Sequence, residues 1–180
     1  HPPQTSATPD EAAEGVRRAV AGEAVLQKMT DAVENDNRTE FLDTIDPKAT
    51  TFRATARTIF ANLSTLPIGA FQLRYVSDDT AALSPDRQTQ LGGTKAWLAQ
   101  VEVSWQLAGY DAKPARETLP VTFVTRDGTT YAASFSERFA SGQRRPIWAL
   151  GQLDVAEGDH SLVISLDGES DARSYVSVAD

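Results

Sequence analysis

The chain has 180 residues, 41% hydrophobic and 23% charged, an ordinary globular balance that suits one domain with a real core. Its 17 Lys and Arg against 25 Asp and Glu leave a formal net charge of −8, which repels nucleic acid and anionic lipid and argues against both as partners. With no cysteine there are no disulfides, thiolate metal sites or cysteine nucleophiles, and no stretch has the apolar length that membrane insertion requires.

In chain order, "HPPQTSATP" is Pro/Ser/Thr-rich and reads as a flexible leader over residues 1–8, of the kind that tethers an exported domain to a signal segment or anchor. Thr8-Pro9-Asp10-Glu11 is a helix start: a capping hydroxyl, a proline for the first helical position and a capping-box acid. Ala12, Val16, Ala19, Leu26, Met29 and Val33 continue at helical spacing. The pattern breaks at Asn35-Asp36-Asn37. It restarts with Asn37 and Glu40 as a second capping pair and Phe41, Leu42 and Ile45 on one face, then closes at Asp46-Pro47. A third helix carries Phe52, Ala56, Ile59, Phe60 and Leu63 on one stripe and ends at Pro67.

Beyond Pro67 the period changes to two. "AFQLRYV" puts Phe71, Leu73 and Tyr75 on one face. After a polar insert, Ser77 to Thr94, a long strand alternates Trp97, Val101, Val103, Trp105 and Leu107 against Gln100, Glu102, Ser104 and Gln106. Asp127-Gly128 marks a two-residue hairpin turn, and a last strand pair turns near Gly158-Asp159. The expected fold class is α+β: three N-terminal helices against one face of a curved antiparallel sheet whose other face is polar, all within residues 9–166. The Trp97–Tyr110 strand is expected to be long and central, with no strand before Ile68. Residues 167–180, small and polar, read as a tail or inter-domain linker. The break at Asn35–Asn37 lets the short helix turn back and cap the mouth of the sheet.

The order of long helix, polar break, "FLDTIDP", third helix and curved sheet resembles the nuclear-transport-factor-two-like (cystatin-like) cone, a superfold that also holds ketosteroid-isomerase-like enzymes. More narrowly, "TEFLDTIDPKATTFRATARTIFANLSTLPIGAFQLRYV", "VSWQLAGYDAKPARETLPVTFVTRDGTTYAASF" and "RRPIWALGQLDVAEGDHSLVI" resemble the membrane-proximal domain of exported actinobacterial proteins. In that family a zinc-peptidase-like domain commonly follows. The resemblance implies an extracytoplasmic or cell-surface location and a downstream domain of the same polypeptide as partner. The peptidase signature H-E-x-x-H is absent, so no peptidase role passes to any residue of this chain.

Catalytic motifs are sparse. His1 lies in the leader and His160 follows a Gly-Asp turn, so neither a His-based triad nor a histidine metal site has its parts, and no cofactor or metal is expected. Gly92-Gly93 is no phosphate cradle, and Asp78-Asp79 lacks the spacing of a calcium loop. The sequons at Asn37 and Asn62 read as a cap and a helix-end residue. Cones of the resembled class can enclose a pocket in which a carboxylate and a tyrosine move a proton. Tyr75, Trp97, Trp105, Phe123 and Tyr131 are the aromatics that would line such a cavity or, as the plainer reading has it, fill it. Asp43 and Asp46 are the acids at its mouth. Trp148 reads equally as a core residue or as the contact for a downstream domain. The function these observations favour is a non-catalytic accessory or interaction domain of an exported bacterial protein. The alternative is a small-molecule-binding or ketosteroid-isomerase-like pocket domain.

Overall fold

The capping box at Thr8 starts α1 (Pro9–Glu34): Glu11 N–H donates to Thr8 Oγ1 at 3.3 Å, and Thr8 N–H donates to Glu11 Oε2 at 2.8 Å. In the computed structural model, which describes residues 8–79, 83–92, 95–135, 145–168 and 172–179, burial along α1 begins only at Gly22. Val16, read above as part of the core stripe, is 64% exposed because the first turns of α1 run outside the core. The leader before Thr8, His1 included, and Gly93 lie outside the described residues.

The break at Asn35–Asn37 is a Schellman stop. Asp36 takes a left-handed φ of 51°, Asn37 N–H bonds Ala32 C=O at 2.7 Å, and Asp36 N–H bonds Val33 C=O at 3.2 Å. Ser64 Oγ donates to Asp36 Oδ1 at 2.6 Å and fixes the turn from the third helix. Asn37 then caps α2 (Arg38–Asp43), accepting from Glu40 N–H at 3.1 Å. After α2 the chain extends for one residue pair: Asp46 N–H donates to Ala132 C=O at 2.8 Å and Ala132 N–H donates to Thr44 C=O at 2.9 Å. This parallel bridge at Ile45 is the one piece of sheet before Ile68 among the described residues. The reason for a short second helix is therefore an edge contact. The chain must arrive extended at Ile45 to meet the sheet, and α3 (Thr50–Thr65) starts after the Asp46-Pro47 turn.

Four antiparallel strands follow: β1 (Ile68–Asp78), β2 (Lys95–Leu107), β3 (Ala115–Arg126) and β4 (Thr129–Ser134), in the order β1-β2-β3-β4. β2 is the longest and lies inside the sheet, as expected. Asp127 and Gly128, with φ of 49° and 81°, make the β3–β4 turn that their sequence announced. Register shifts in β1 and at Thr122/Phe123 bend the sheet around the helices. Inside lie Phe71 and Leu73, Val101 and Val103, Leu119 and Phe123, packed on Leu26, Met29, Phe41, Ile59 and Phe60 of the helices. Helix α1 also closes the free edge of β1, because Leu73 N–H donates to Thr30 Oγ1 at 3.2 Å and Tyr75 N–H to Glu23 Oε2 at 2.8 Å.

Three features depart from the sequence reading. The polar insert carries a helix, α4 (Pro85–Gln90), which covers part of the sheet's outer face with Leu83 and Leu91 over Val124 and Tyr131, so that face is not wholly solvated. The last hairpin, β5 (Leu153–Glu157) and β6 (Leu162–Leu166), is a separate two-stranded sheet. Helix α5 (Ala172–Ala179) folds back on that hairpin: Ala172 is buried and its N–H donates to Asp154 Oδ2 at 2.9 Å, so the tail is not extended throughout. The hairpin is joined to the core by Asn62, which is buried. Asn62 Nδ2 donates to the Trp148 and Gly151 carbonyls at 2.9 and 2.6 Å, and Asn62 Oδ1 accepts from Leu153 N–H at 3.1 Å. Both ends of the amide are used inside the protein, so Asn62 is an inter-element clamp. Trp148, 1% exposed, is a core residue against Phe71 and Trp105, and the docking role falls away.

Two stability tests follow from this packing. A Cβ at Gly22 would lie 2.6 Å from Tyr75 Cε2, whereas Gly15 has nothing within 4 Å. Gly22→Ala is expected to lose about 1–3 kcal/mol by overpacking, and Gly15→Ala to gain up to about 1 kcal/mol of helix propensity; urea unfolding reads both, and equal signs would contradict the close approach. Asn62→Ala strands three backbone groups and should lower stability by about 3 kcal/mol. The isosteric Asn62→Asp, which sets a carboxylate oxygen against two carbonyls, should cost more, and a silent Asn62→Asp would refute the clamp.

Candidate functional site

β4 ends at Ser134, whereas β3 runs back to Ala115, paired there with β2 alone among the described residues. A cavity of about 470 Å³ opens beside this shortened edge, walled by α3 from Ala49 to Ile59, the exit of α4, Leu119 and Arg126 of β3, and the end of β4. Its floor is apolar: Ile59, Leu119 and Phe135 are buried, and Phe52 meets Phe135 edge-to-face with centroids 5.0 Å apart. Its rim is polar and exposed, with Lys48, Thr50, Thr51, Thr55 and Gln90. Convergent polar groups over an apolar floor, at this volume, are what small-molecule sites share.

One ion pair organises the polar end. Asp46 is 1% exposed and receives Arg126 Nε–H on Oδ1 at 2.8 Å and Arg126 Nη2–H on Oδ2 at 2.9 Å. Lys48 N–H adds a third bond to Oδ1 at 3.1 Å, the turn geometry that Asp-Pro supplies. Arg126 Nη2 also donates to Leu91 C=O at 2.9 Å, which fastens the exit of α4. Burial by itself raises the Asp46 carboxyl, but the Arg126 and Lys48 hydrogen bonds and the Arg126 charge outweigh it and hold the group below the usual aspartate range. Asp46 is therefore ionised and saturated with donors, the opposite of a general base.

Of the residues singled out from sequence, Asp46 lines this cavity. Asp43 is exposed on α2 and does not. Tyr75, Trp97 and Phe123 come together elsewhere, as interior filling. Trp97 stacks on Phe123 at 5.4 Å, Tyr75 lies 6.0 Å from Phe123, and Trp97 Nε1–H donates to Tyr75 Oη at 3.1 Å. Tyr75 Oη–H donates to Asp78, which Arg18 also holds at 2.9 Å. Burial, then the Asp78 hydrogen bond, raises the Tyr75 phenol well above its ordinary value, so it stays neutral. Trp105 packs at the opposite end on Trp148, and Tyr131 lies on the outer face with Leu91 and Val124. Glu102 faces outward and pairs with Arg74 at 3.2 Å, a partly exposed contact of little energetic weight.

Sequence reasoning missed Phe135, Arg126 and the whole contribution of α4. A signal for α4 was present: Ser84-Pro85-Asp86 repeats the start logic of Thr8-Pro9-Asp10, and Ser84 Oγ accepts from Arg87 N–H at 3.2 Å. Nothing local marks Arg126 as the partner of a residue 80 positions away. Among the described residues no three His, Cys, Asp or Glu side chains gather as a metal site, and no helix is long and apolar enough to cross a membrane. Compared with protein-family models, curated proteins and solved structures, the chain matches none.

The ion pair makes an acid-stability prediction. Because the folded carboxyl is held low, its stabilising contribution is complete above about pH 4, the ordinary aspartate value, and disappears as pH falls through the lower folded value. Asp46→Asn is expected to cost about 3–5 kcal/mol at pH 7 by leaving Arg126 buried and uncompensated, with a smaller deficit relative to the parent near pH 2. Joint replacement by Asp46→Leu and Arg126→Met should recover most of the loss. A deficit that does not shrink in acid would assign the cost to packing instead.

Proposed function

We propose that this chain is a non-catalytic ligand-binding domain that holds a small molecule in the cavity beside β4 and serves as an accessory domain in an exported protein. The supporting observation is a cavity of about 470 Å³ that pairs an apolar floor with a polar end whose acid is already neutralised by Arg126. Room and orienting donors are both present, while a proton-transfer base on that wall is not, among the described residues. An isomerase-like mechanism needs a cavity carboxylate of raised pKa; Asp46 is shifted the other way, and the Tyr75 hydroxyl is engaged by Asp78 and Trp97 away from the cavity. Three helices on one face of a curved four-stranded sheet support the nuclear-transport-factor-two-like cone as its kinship.

A neutral hydrophobic reporter such as N-phenyl-1-naphthylamine, titrated into the chain, should bind saturably. Thr55→Trp, which fills the cavity from its exposed rim, should abolish that binding, and Ala61→Trp, exposed on α3 outside the cavity, should leave it intact. Indifference of the reporter to Thr55→Trp would remove the cavity from the account. Isomerase or hydrolase turnover by the chain, lost on Asp46→Asn, would overturn the non-catalytic part.

A further inference from the structure

The polar end of the cavity carries Lys48 and Arg126 beside the acid Asp46, in a chain whose net charge is −8. Arg126 and Asp46 neutralise one another, yet Arg126 is not exhausted. Its Nε and Nη2 serve Asp46 and the Leu91 carbonyl, and among the described residues the two Nη1 hydrogens have no partner, on a side chain 10% exposed that lines the cavity. Lys48 brings an ammonium to the same end, since it lines the cavity and its charge acts on Asp46. A guanidinium N–H pair and an ammonium at one end of a slot, with Phe52, Ile59, Leu119 and Phe135 forming the rest, match a ligand with a charged head and an apolar body. Taking the roughly 30 Å³ that a water fills in the liquid as the measure, the cavity has room for about sixteen non-hydrogen atoms, a medium-length chain and its head group.

Resting on the binding reading above, we propose that the ligand is an amphipathic anion: an aliphatic chain laid on Phe52, Ile59, Leu119 and Phe135, with its anionic head taken by Arg126 Nη1 and Lys48. The Lys48 ammonium and the Arg126 Nη1 donors draw such a ligand into an otherwise repelling, acidic protein, and the floor rejects small hydrophilic anions, which gain nothing from it.

The test is calorimetric titration of the chain with compounds of one tail length and different heads: decanoate, decyl phosphate, decanol and decyltrimethylammonium, with acetate as the tail-free control. Decanoate or decyl phosphate should bind at least about ten-fold tighter than decanol, the value of one charge-assisted contact. Acetate should not bind measurably, and the advantage over decanol should shrink as salt is raised. Lys48→Met, at an exposed position, should weaken the anion by about ten-fold and leave decanol unchanged. Equal affinity for decanoate and decanol, or preference for the cation, overturns the anionic head while leaving a binding cavity in place. Failure of every decyl compound and of the neutral reporter removes the binding reading itself. Loss of decanol together with decanoate in Lys48→Met would place the effect in the fold and refute the role given to Lys48.

Discussion

The turn at Asp46 is the constraint on which the remaining architecture hangs. Its backbone N–H completes the edge of β4, its carboxylate holds the end of β3 through Arg126, and Arg126 in turn holds the exit of α4 through Leu91. Helix α3 leaves from the same turn. Four elements are thereby fixed around one carboxylate that is 1% exposed. A buried pair of this kind is a weak source of net stability, since desolvation opposes the Coulombic gain, but it penalises any arrangement in which either partner is alone. Its effect is to select one relative placement of helix, sheet and insert, and the cavity wall is a by-product of that placement.

Elsewhere the core uses polar groups in the same way. Asn62 joins α3 to the last hairpin through three hydrogen bonds, two given and one received, and so adds a directional tie to the packing of Leu153, Val155 and Ile164 on the core. Tyr75 and Trp97 satisfy one another's polar atoms inside the sheet, so that aromatic bulk can fill the space without stranding a hydroxyl or an indole N–H. Helix α1 reaches the edge of β1 with Thr30 and Glu23, which removes two donors from an 11-residue strand edge that is otherwise open to pairing with another chain. Trp148 and Thr122 are exceptions: among the described residues neither Trp148 Nε1, buried among rings, nor Thr122 Oγ1 has a hydrogen-bond partner.

The distribution of charge separates what the cavity can hold from what it can catalyse. General acid–base chemistry requires a group whose proton is only loosely held near working pH. Here burial and donors act in opposite senses on Asp46, and the donors prevail; on Tyr75 burial and the Asp78 hydrogen bond act together. Both groups are driven away from titrating near neutral pH, Asp46 towards its charged form and Tyr75 towards its neutral one. What is left at the cavity is recognition: positive donors at one end, aromatic and aliphatic surface at the other.

The chain's own pattern determined the elements. Capping residues at Thr8 and Asn37, the break at Asp36, the switch from period 3.6 to period 2 after Pro67 and the Asp127-Gly128 turn are all local instructions, because backbone hydrogen-bonding and φ preferences act within a few residues. From these the three N-terminal helices and the antiparallel sheet were legible, and so was the filling of the interior by Tyr75, Trp97 and Phe123. The helix at Ser84-Pro85 carries the same local start signal within a polar insert. Tertiary structure alone decided where the cavity lies. It depends on β4 stopping short of β3, on Arg126 reaching Asp46, and on Asn62 and Trp148 drawing the last hairpin to α3. Such pairings join residues 80 or more apart in the chain, and no local propensity encodes them. They follow from which buried charges and amides find partners once the elements have packed.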